Sequence, residues 1–514
     1  MSVATVISRA LLGVQALEVS VETHLSSGLP GFAIVGLPET AVKESKERVR
    51  SAIINSGLEF PAQRITVNLA PADIPKAGGR YDLAIALGIL AASGQIPVEK
   101  LKGQEVLGEL ALNGEVRRVQ GALPAILAAQ QQGRGILLPA GNGDESDLAG
   151  YDRAQTVAHL NHYIDHLVNN APLCKTVTDT RLAVKETRSQ LPTRDDFSDC
   201  NIQGQALAKR AIQIAAAGGH NLLMIGPPGC GKTLLAQVMV RLLPALNAEQ
   251  ALEVAAVRSV ASLSVTRQDW WQRPLRSPHH SATAVALVGG GNRARPGEIS
   301  LAHRGVLFLD ELAEFKPSVL DCLREPLESG QITISRANYQ VVFPADFQLL
   351  AAMNPCPCGH ASDPRVACRC PPDRVTRYLG KLSGPLLDRI DLVVEMASLT
   401  QSELLSAGDN QDDWPAVQAA VADCQQRQCR NRGKLNSGLL NRELDRYCVL
   451  NKDLQAMLAS AMDKLNLSAR TVHRIIRVAR TIADLRRGEA LSSDDLMEAI
   501  AFRRSSVVQT LGSL

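Results

Sequence analysis

Asn221-Leu222-Leu223-Met224-Ile225-Gly226-Pro227-Pro228-Gly229-Cys230-Gly231-Lys232-Thr233 joins an apolar run to a glycine-rich turn ending in Lys-Thr. The apolar run reads as a buried strand, and Thr233 to Leu243 as an amphipathic helix. The turn matches G-x-x-x-x-G-K-[ST] in full, between the strand and helix that this motif requires. Gly226, Gly229 and Gly231, with Pro227, Pro228 and Cys230 between them, let backbone N–H groups turn inward around phosphates, at a helix N-terminus that favours anions. Lys232 is placed to reach the β- and γ-phosphates, and Thr233 to ligate Mg²⁺. The stretch predicts an ATP site on a parallel α/β sheet.

Three later segments belong to the same chemistry. Gly305-Val306-Leu307-Phe308-Leu309 reads as a strand delivering Asp310 and Glu311 at its tip. Asp310 would hold the Mg²⁺ water shell, and Glu311 would polarise the attacking water. Phe347 to Met353 reads as another strand and ends in Asn354, placed either to sense the γ-phosphate or to cap the turn before Pro355. Ser383 to Asp391 sets Arg389 between Asp388 and Asp391. An Arg there is either a finger reaching a neighbour's phosphoryl group or a local Asp–Arg pair, and spacing leaves both open.

Read in order, Gly226–Thr233, Asp310-Glu311, Asn354, Arg389 and Ser468-Ala469-Arg470 resemble the AAA+ ATPases. Arg276-Ser277-Pro278-His279-His280-Ser281, Val288 to Gly291, Pro296 to His303 and Arg324-Glu325-Pro326-Leu327-Glu328 narrow the resemblance to the magnesium-chelatase-like branch. Leu29-Pro30-Gly31-Phe32 and Val35-Gly36-Leu37-Pro38-Glu39 extend it, over the whole chain, to that branch's competence-protein members. The resemblance implies a homo-hexameric ring that moves branched or three-stranded DNA during recombination and natural transformation. It also implies nucleotide between subunits, Arg389 acting in trans and Arg470 reaching the nucleotide as sensor 2.

The same resemblance implies a Lon-protease-like α+β domain at the N-terminus, with a departure. Pro75 to Asp82 looks like the Lon segment that carries the nucleophilic Ser, yet Arg80 stands at that position. Gly114 to Leu123 looks like the segment that carries the catalytic Lys, yet Leu123 stands there. Without nucleophile and base there is no acyl-enzyme chemistry.

The expected organisation is 1–168 Lon-like domain, 169–199 polar linker, 200–398 AAA+ core with a parallel sheet, 399–429 linker and 430–514 helical lid. Within the first block, Thr66–Leu69, Leu107–Leu110 and Gly135–Pro139 read as strands and Tyr81–Ser93 as a buried helix. Candidate DNA contacts are Arg293 and Arg295, in the basic loop Gly289 to Gly297, and Arg336, near the tip of a hairpin over Gln331 to Phe343. A solvated surface loop would look the same at each. His279-His280 reads as a metal or phosphate contact, or as a structural loop.

Cys356-Pro357-Cys358 and Cys368-Arg369-Cys370 supply four thiols suited to structural Zn²⁺, with His360 as an alternative ligand. The chain has 514 residues, 11 cysteines, 3% aromatics and a net charge of +3. Aromatic stacking is therefore not its main recognition device, and overall charge does not argue for nucleic acid. It lacks a signal-peptide pattern and any apolar run near the ~18 residues of a membrane span, so a cytoplasmic protein with reduced thiols and no membrane partner is expected.

Overall fold

The computed structural model describes residues 3–175, 197, 200, 202–291, 294–335, 340–361, 366–398, 413–465 and 467–503. Its centre is a five-stranded sheet in the order Leu275–Arg276, Val306–Leu309, Gln348–Met353, Leu222–Ile225, Leu392–Glu395, with every pairing parallel. The three central strands are wholly buried, as parallel strands covered on both faces must be. Helices Ala206–Gly218 and Lys232–Leu242 cover one face.

The helical lid packs on that same face. Val421, Cys424, Leu444, Leu458, Ile475 and Ile482 share one apolar cluster with Ala211, Ala215 and Met239. Helix Ala206–Gly218 ends with carbonyls that its own ladder cannot satisfy. Side-chain amides meet them: Gln348 Nε2 donates to Ala215 O (2.8 Å), Gln425 to Ala216 O (2.6 Å) and Gln428 to Ala217 O (3.0 Å).

This corrects the second linker. Residues 399–412 lie outside the described set, but Trp414–Arg432 is one helix, so the lid starts near Trp414 rather than 430. Its buried positions Val421, Cys424, Gln425 and Gln428 follow helical spacing with glutamines where apolar residues are expected, which hid the period. The first linker is shortened too. Cys174–Lys175 pairs antiparallel with the strand Ala154–Val157, so the N-terminal sheet continues past 168.

That sheet has eight strands of mixed direction, with the long antiparallel pair Val3–Leu12 and Gln15–Ser26 at its middle. Helix Asp82–Ala92 is buried through Ala91 and covers the pair. Thr66–Leu69 lies within Arg64–Ala70, and Gly135–Pro139 is a strand as expected. Leu107–Leu110 is not one strand: Gln104–Val106 joins the sheet, while Glu109–Leu110 pairs only with Val116–Arg117. Among the described residues no helix is long and apolar enough to cross a membrane.

Candidate functional site

Three neighbouring strands bring the site together at their C-terminal ends, where ligands of open α/β sheets bind. After Ile225 the chain turns through Gly226–Gly231. Gly229 (φ +76°) and Gly231 (φ +93°) occupy the left-handed region that side chains disfavour. Helix Lys232–Leu242 then begins, its first N–H groups aimed into the turn.

Lys232 Nζ donates to Gly226 O (2.8 Å), Pro227 O (2.9 Å) and Asn354 Oδ1 (3.2 Å). Thr233 Oγ1 donates to Asp310 Oδ2 (3.1 Å), which puts the two groups expected around Mg²⁺ side by side. Asp310 Oδ1 accepts from the N–H of Glu311 (2.9 Å). Glu311 has φ +53°, a conformation that costs a non-glycine residue about 1–3 kcal/mol and turns its carboxylate out of the strand line.

That carboxylate meets His280, whose Nδ1 lies 2.9 Å from Glu311 Oε2. The rings of His279 and His280 lie with centroids 4.0 Å apart, and His279 Nδ1 is 2.8 Å from Ser281 Oγ. Sequence reasoning left the role of His280 open. Only the fold brings residue 280 to residue 311, and no local spacing signals that contact. Tyr378 was missed as well. Its buried phenol meets the backbone of Asn354, and burial together with Glu314 pushes it above its usual range.

Arg389 stands elsewhere. Its carbonyl accepts from Asn221 Nδ2 (3.0 Å), at the N-terminal end of the strand whose other end carries the phosphate loop. Arg389 is buried, and its guanidinium is tied to Glu328 Oε1 (2.5 Å), Pro385 O (2.5 Å) and Arg324 O (3.1 Å). Arg474 of the lid donates to Asp391 Oδ1 (2.6 Å) and to Arg389 O (3.1 Å) at that same end. Arg470 is exposed one turn earlier, about 6 Å along the helix. No hydrogen bond or ion pair joins Arg470 to the phosphate loop among the described residues.

Of the candidate DNA contacts, Arg293 and Arg336 lie outside the described residues. Arg295 is exposed in a short pairing of Gly289–Gly290 with Arg295–Pro296. The expected hairpin pairs Gln331–Ser335 with Gln340–Pro344 in antiparallel register. Its apolar side, with Ile332, Val341 and Phe343, packs together with Leu12 and Val14 from an N-terminal turn.

Arg80 and Leu123, read from the sequence as standing at the nucleophile and base positions of a Lon-type domain, are both built into the packing. Arg80 is buried and donates to Gln120 O (2.6 Å). Leu123 is fully buried in a cluster with Val254, Trp270 and Trp271, joining the N-terminal domain to the ATPase core. Beside it Glu145 Oε2 accepts from Leu123 N–H (3.1 Å) and from Ser259 Oγ (3.0 Å) of the core. Cys356, Cys358, Cys368 and Cys370 converge just beyond Asn354. His360 is not one of that group.

Three family models match separate parts of the chain. "Magnesium chelatase, subunit ChlI" matches residues 196–404, "Subunit ChlI of Mg-chelatase" matches 21–142, and "Magnesium chelatase, subunit ChlI C-terminal" matches 413–503. The chain is 48% identical over 506 residues to competence protein ComM of Haemophilus influenzae, covering 98% of both chains. It is 46% identical to the uncharacterized protein YifB of Escherichia coli, covering 98% of this chain and 97% of that one. To the magnesium-chelatase 38 kDa subunit of Cereibacter sphaeroides it is 26% identical, over 38% of this chain and 58% of the subunit. With these matches and its α/β core, parallel sheet and C-terminal helices, the chain belongs to the magnesium-chelatase-like family of AAA+ ATPases, in the group that includes competence protein ComM.

Proposed function

We propose that this chain is the subunit of a homo-hexameric, ATP-driven DNA motor, a helicase that promotes branch migration during homologous recombination and natural transformation. The observation that carries the reading is a divided hydrolysis site. Lys232, Thr233, Asp310, Glu311 and Asn354 meet at one end of the sheet, while Arg389 stands at the other. A site divided in this way is completed by a neighbouring subunit, which is what a ring supplies.

In this mechanism ATP would lie along Gly226–Thr233, and Thr233 with Asp310 would hold Mg²⁺, which would neutralise phosphate charge. Glu311 would take a proton from the attacking water as its oxygen bonds to the γ-phosphorus, while the bond to the β-phosphate bridging oxygen breaks and ADP leaves with that electron pair. Asn354 orients that water, and a neighbour's Arg389 neutralises charge on the transferred group. The hairpin Gln331–Pro344 directly precedes the strand that ends at Asn354, so a change at the γ-phosphate has a short path to a DNA-facing element. The DNA part of the reading is supported by this hairpin, by exposed Arg295 and by the name of the Haemophilus relative. Arg293 and Arg336, outside the described residues, stay proposed DNA contacts on the sequence alone, and the cytoplasm is the proposed place of the protein.

ATPase and labelled-fork displacement assays on the wild type and Lys232→Ala test the proposal. Strand displacement on forks or three-way junctions that disappears with Lys232→Ala is expected. ATP hydrolysis indifferent to DNA, with no displacement, would instead favour a chelatase-type motor acting on a protein or metal-insertion partner. The partial match to the magnesium-chelatase 38 kDa subunit favours that second reading.

A further inference from the structure

Four thiols gather where the strand Gln348–Met353 leaves the sheet. Cys356 is buried, Cys358 and Cys370 are half-buried, and Cys368 is exposed. Cys356 Sγ lies 3.3 Å from Cys358 Sγ and 3.7 Å from Cys368 Sγ. Cys358 Sγ and Cys368 Sγ are 3.6 Å apart, and all four sulfurs fall within 4.8 Å of one another.

These spacings distinguish the chemistries open to four cysteines. A disulfide needs sulfurs at about 2.05 Å, far inside the observed separations. An iron–sulfur cluster places its thiolates on different iron atoms and so spreads them more widely than thiolates that share one ion. One tetrahedral ion with metal–sulfur bonds of about 2.3 Å puts its sulfurs about 3.8 Å apart, which is the arrangement here. Nor does packing explain the group, since three of its members are partly or fully exposed.

We propose that Cys356, Cys358, Cys368 and Cys370 bind one Zn²⁺ as a structural tetrathiolate site that holds Asn354 in place over the phosphate loop. Each thiol gives its proton to solvent as it ligates. Four protein ligands leave no open position, so the ion takes no part in hydrolysis. Its effect is mechanical and rests on two contacts.

The first contact is along the chain. Asn354, which accepts from Lys232 Nζ, is two residues before Cys356. Helix Pro372–Leu379, whose Tyr378 meets the backbone of Asn354, starts two residues after Cys370. The ion would therefore clamp both segments that flank Asn354. The second contact is across space. Gly359 (φ +84°), in the turn closed by Gly359 N–H to Cys356 O (2.9 Å), packs so tightly on the phosphate loop that a Cβ would lie 2.6 Å from Pro228 Cδ. The cysteine turn is thus a wall of the nucleotide site. This inference rests on the nucleotide site alone and stands whether or not the chain moves DNA.

Elemental analysis of the purified full-length protein is expected to find one zinc per chain. The double variant Cys368→Ser/Cys370→Ser changes only the accessible ligands. It is expected to lose the zinc and to bind a fluorescent ATP analogue about fivefold more weakly, the worth of one hydrogen bond. Cys429→Ser, an exposed cysteine outside the group, should keep both zinc and affinity. If the double variant does not fold, zinc is removed from the wild type with a mercurial and a chelator, Mg²⁺ is restored, and affinity is measured before and after zinc is added back. Recovery on adding zinc supports the proposal. Absence of zinc, stoichiometric iron in its place, or zinc whose removal leaves nucleotide affinity unchanged would each overturn it.

Discussion

Arg389 and Lys232 occupy opposite ends of one strand, Leu222–Ile225. Asn221, just before the strand, donates to Arg389 O at 3.0 Å, and Lys232 Nζ donates to Gly226 O, just after it, at 2.8 Å. Four residues at about 3.3 Å each put roughly 13 Å of sheet between the two ends. The Arg389 side chain turns toward Glu328, Pro385 and Arg324, none of which belongs to the phosphate loop. If Arg389 acts on a phosphoryl group, that group is a neighbour's. Glu328 is half exposed, so its pair with Arg389 is worth under about 1 kcal/mol and yields readily to a stronger anion.

Arg389→Ala is accordingly expected to lower hydrolysis about a thousandfold while leaving nucleotide affinity within a few-fold of wild type. Mixing settles the geometry. Arg389→Ala and Lys232→Ala subunits, each inactive alone, should recover part of the activity together, because one supplies a working phosphate loop and the other a working arginine. No recovery in mixed rings would place Arg389 outside the neighbour's site.

Lys232→Ala removes the only ammonium seen at the phosphate loop among the described contacts. Nucleotide affinity and hydrolysis should both fall, hydrolysis by about a hundredfold or more. The fold should survive, because Lys232 is half-buried and bonded to loop carbonyls rather than packed in the core. Titration with a fluorescent nucleotide and a thermal melt without nucleotide separate the two effects.

Glu311→Gln keeps the shape of the side chain and removes the proposed base. Nucleotide binding should persist while turnover falls about 10²- to 10⁴-fold. His280 lies 2.9 Å from the same carboxylate, so His280→Ala should cost less and lower kcat more than it changes KM. Normal turnover by Glu311→Gln would move the base elsewhere.

The phosphate loop was legible because its parts are contiguous: strand, turn and helix follow one another within 222–242, and each constrains the next. Asp310 and Asn354 were legible because they end apolar strands. What the sequence hid was long-range or inverted in polarity. His280 and Glu311 are thirty-one residues apart, and nothing local pairs them. Gln425 and Gln428 sit where a buried face normally shows apolar residues, because they satisfy carbonyls instead of filling volume. Arg470 read as a group for the nucleotide, while Arg474, one turn further along the same helix, is tied to Asp391, a pairing across 83 residues that no local spacing signals. Leu123 looked like the mere loss of a lysine, and the fold shows its use, since it packs fully buried with Trp270 and Trp271 between the N-terminal domain and the core.

The lid is held to the core at Asp391, and the acid side of the stability curve should report it. Burial alone would raise this carboxyl. His220, with Nδ1 at 3.6 Å, Arg474 at 2.6 Å and the N–H of Asn221 at 2.9 Å outweigh burial and hold it well below the usual carboxylate range. Because the folded value is depressed, the stabilisation is complete above the unfolded pKa of about 3.9 and is lost as pH falls through it toward the folded value. Asp391→Asn should cost about 3–5 kcal/mol at neutral pH, since it leaves the Arg474 charge unpaired against the core. The double variant Asp391→Asn/Arg474→Met should recover much of that, because neither charge remains to be paired. Urea melts between pH 7 and 3.5 check the sign: the gap between wild type and Asp391→Asn should be constant down to about pH 5 and close below it. A gap that widens toward acid would mean that this carboxyl is protonated in the folded protein, and that Arg474 anchors the lid through the carbonyl of Arg389 alone.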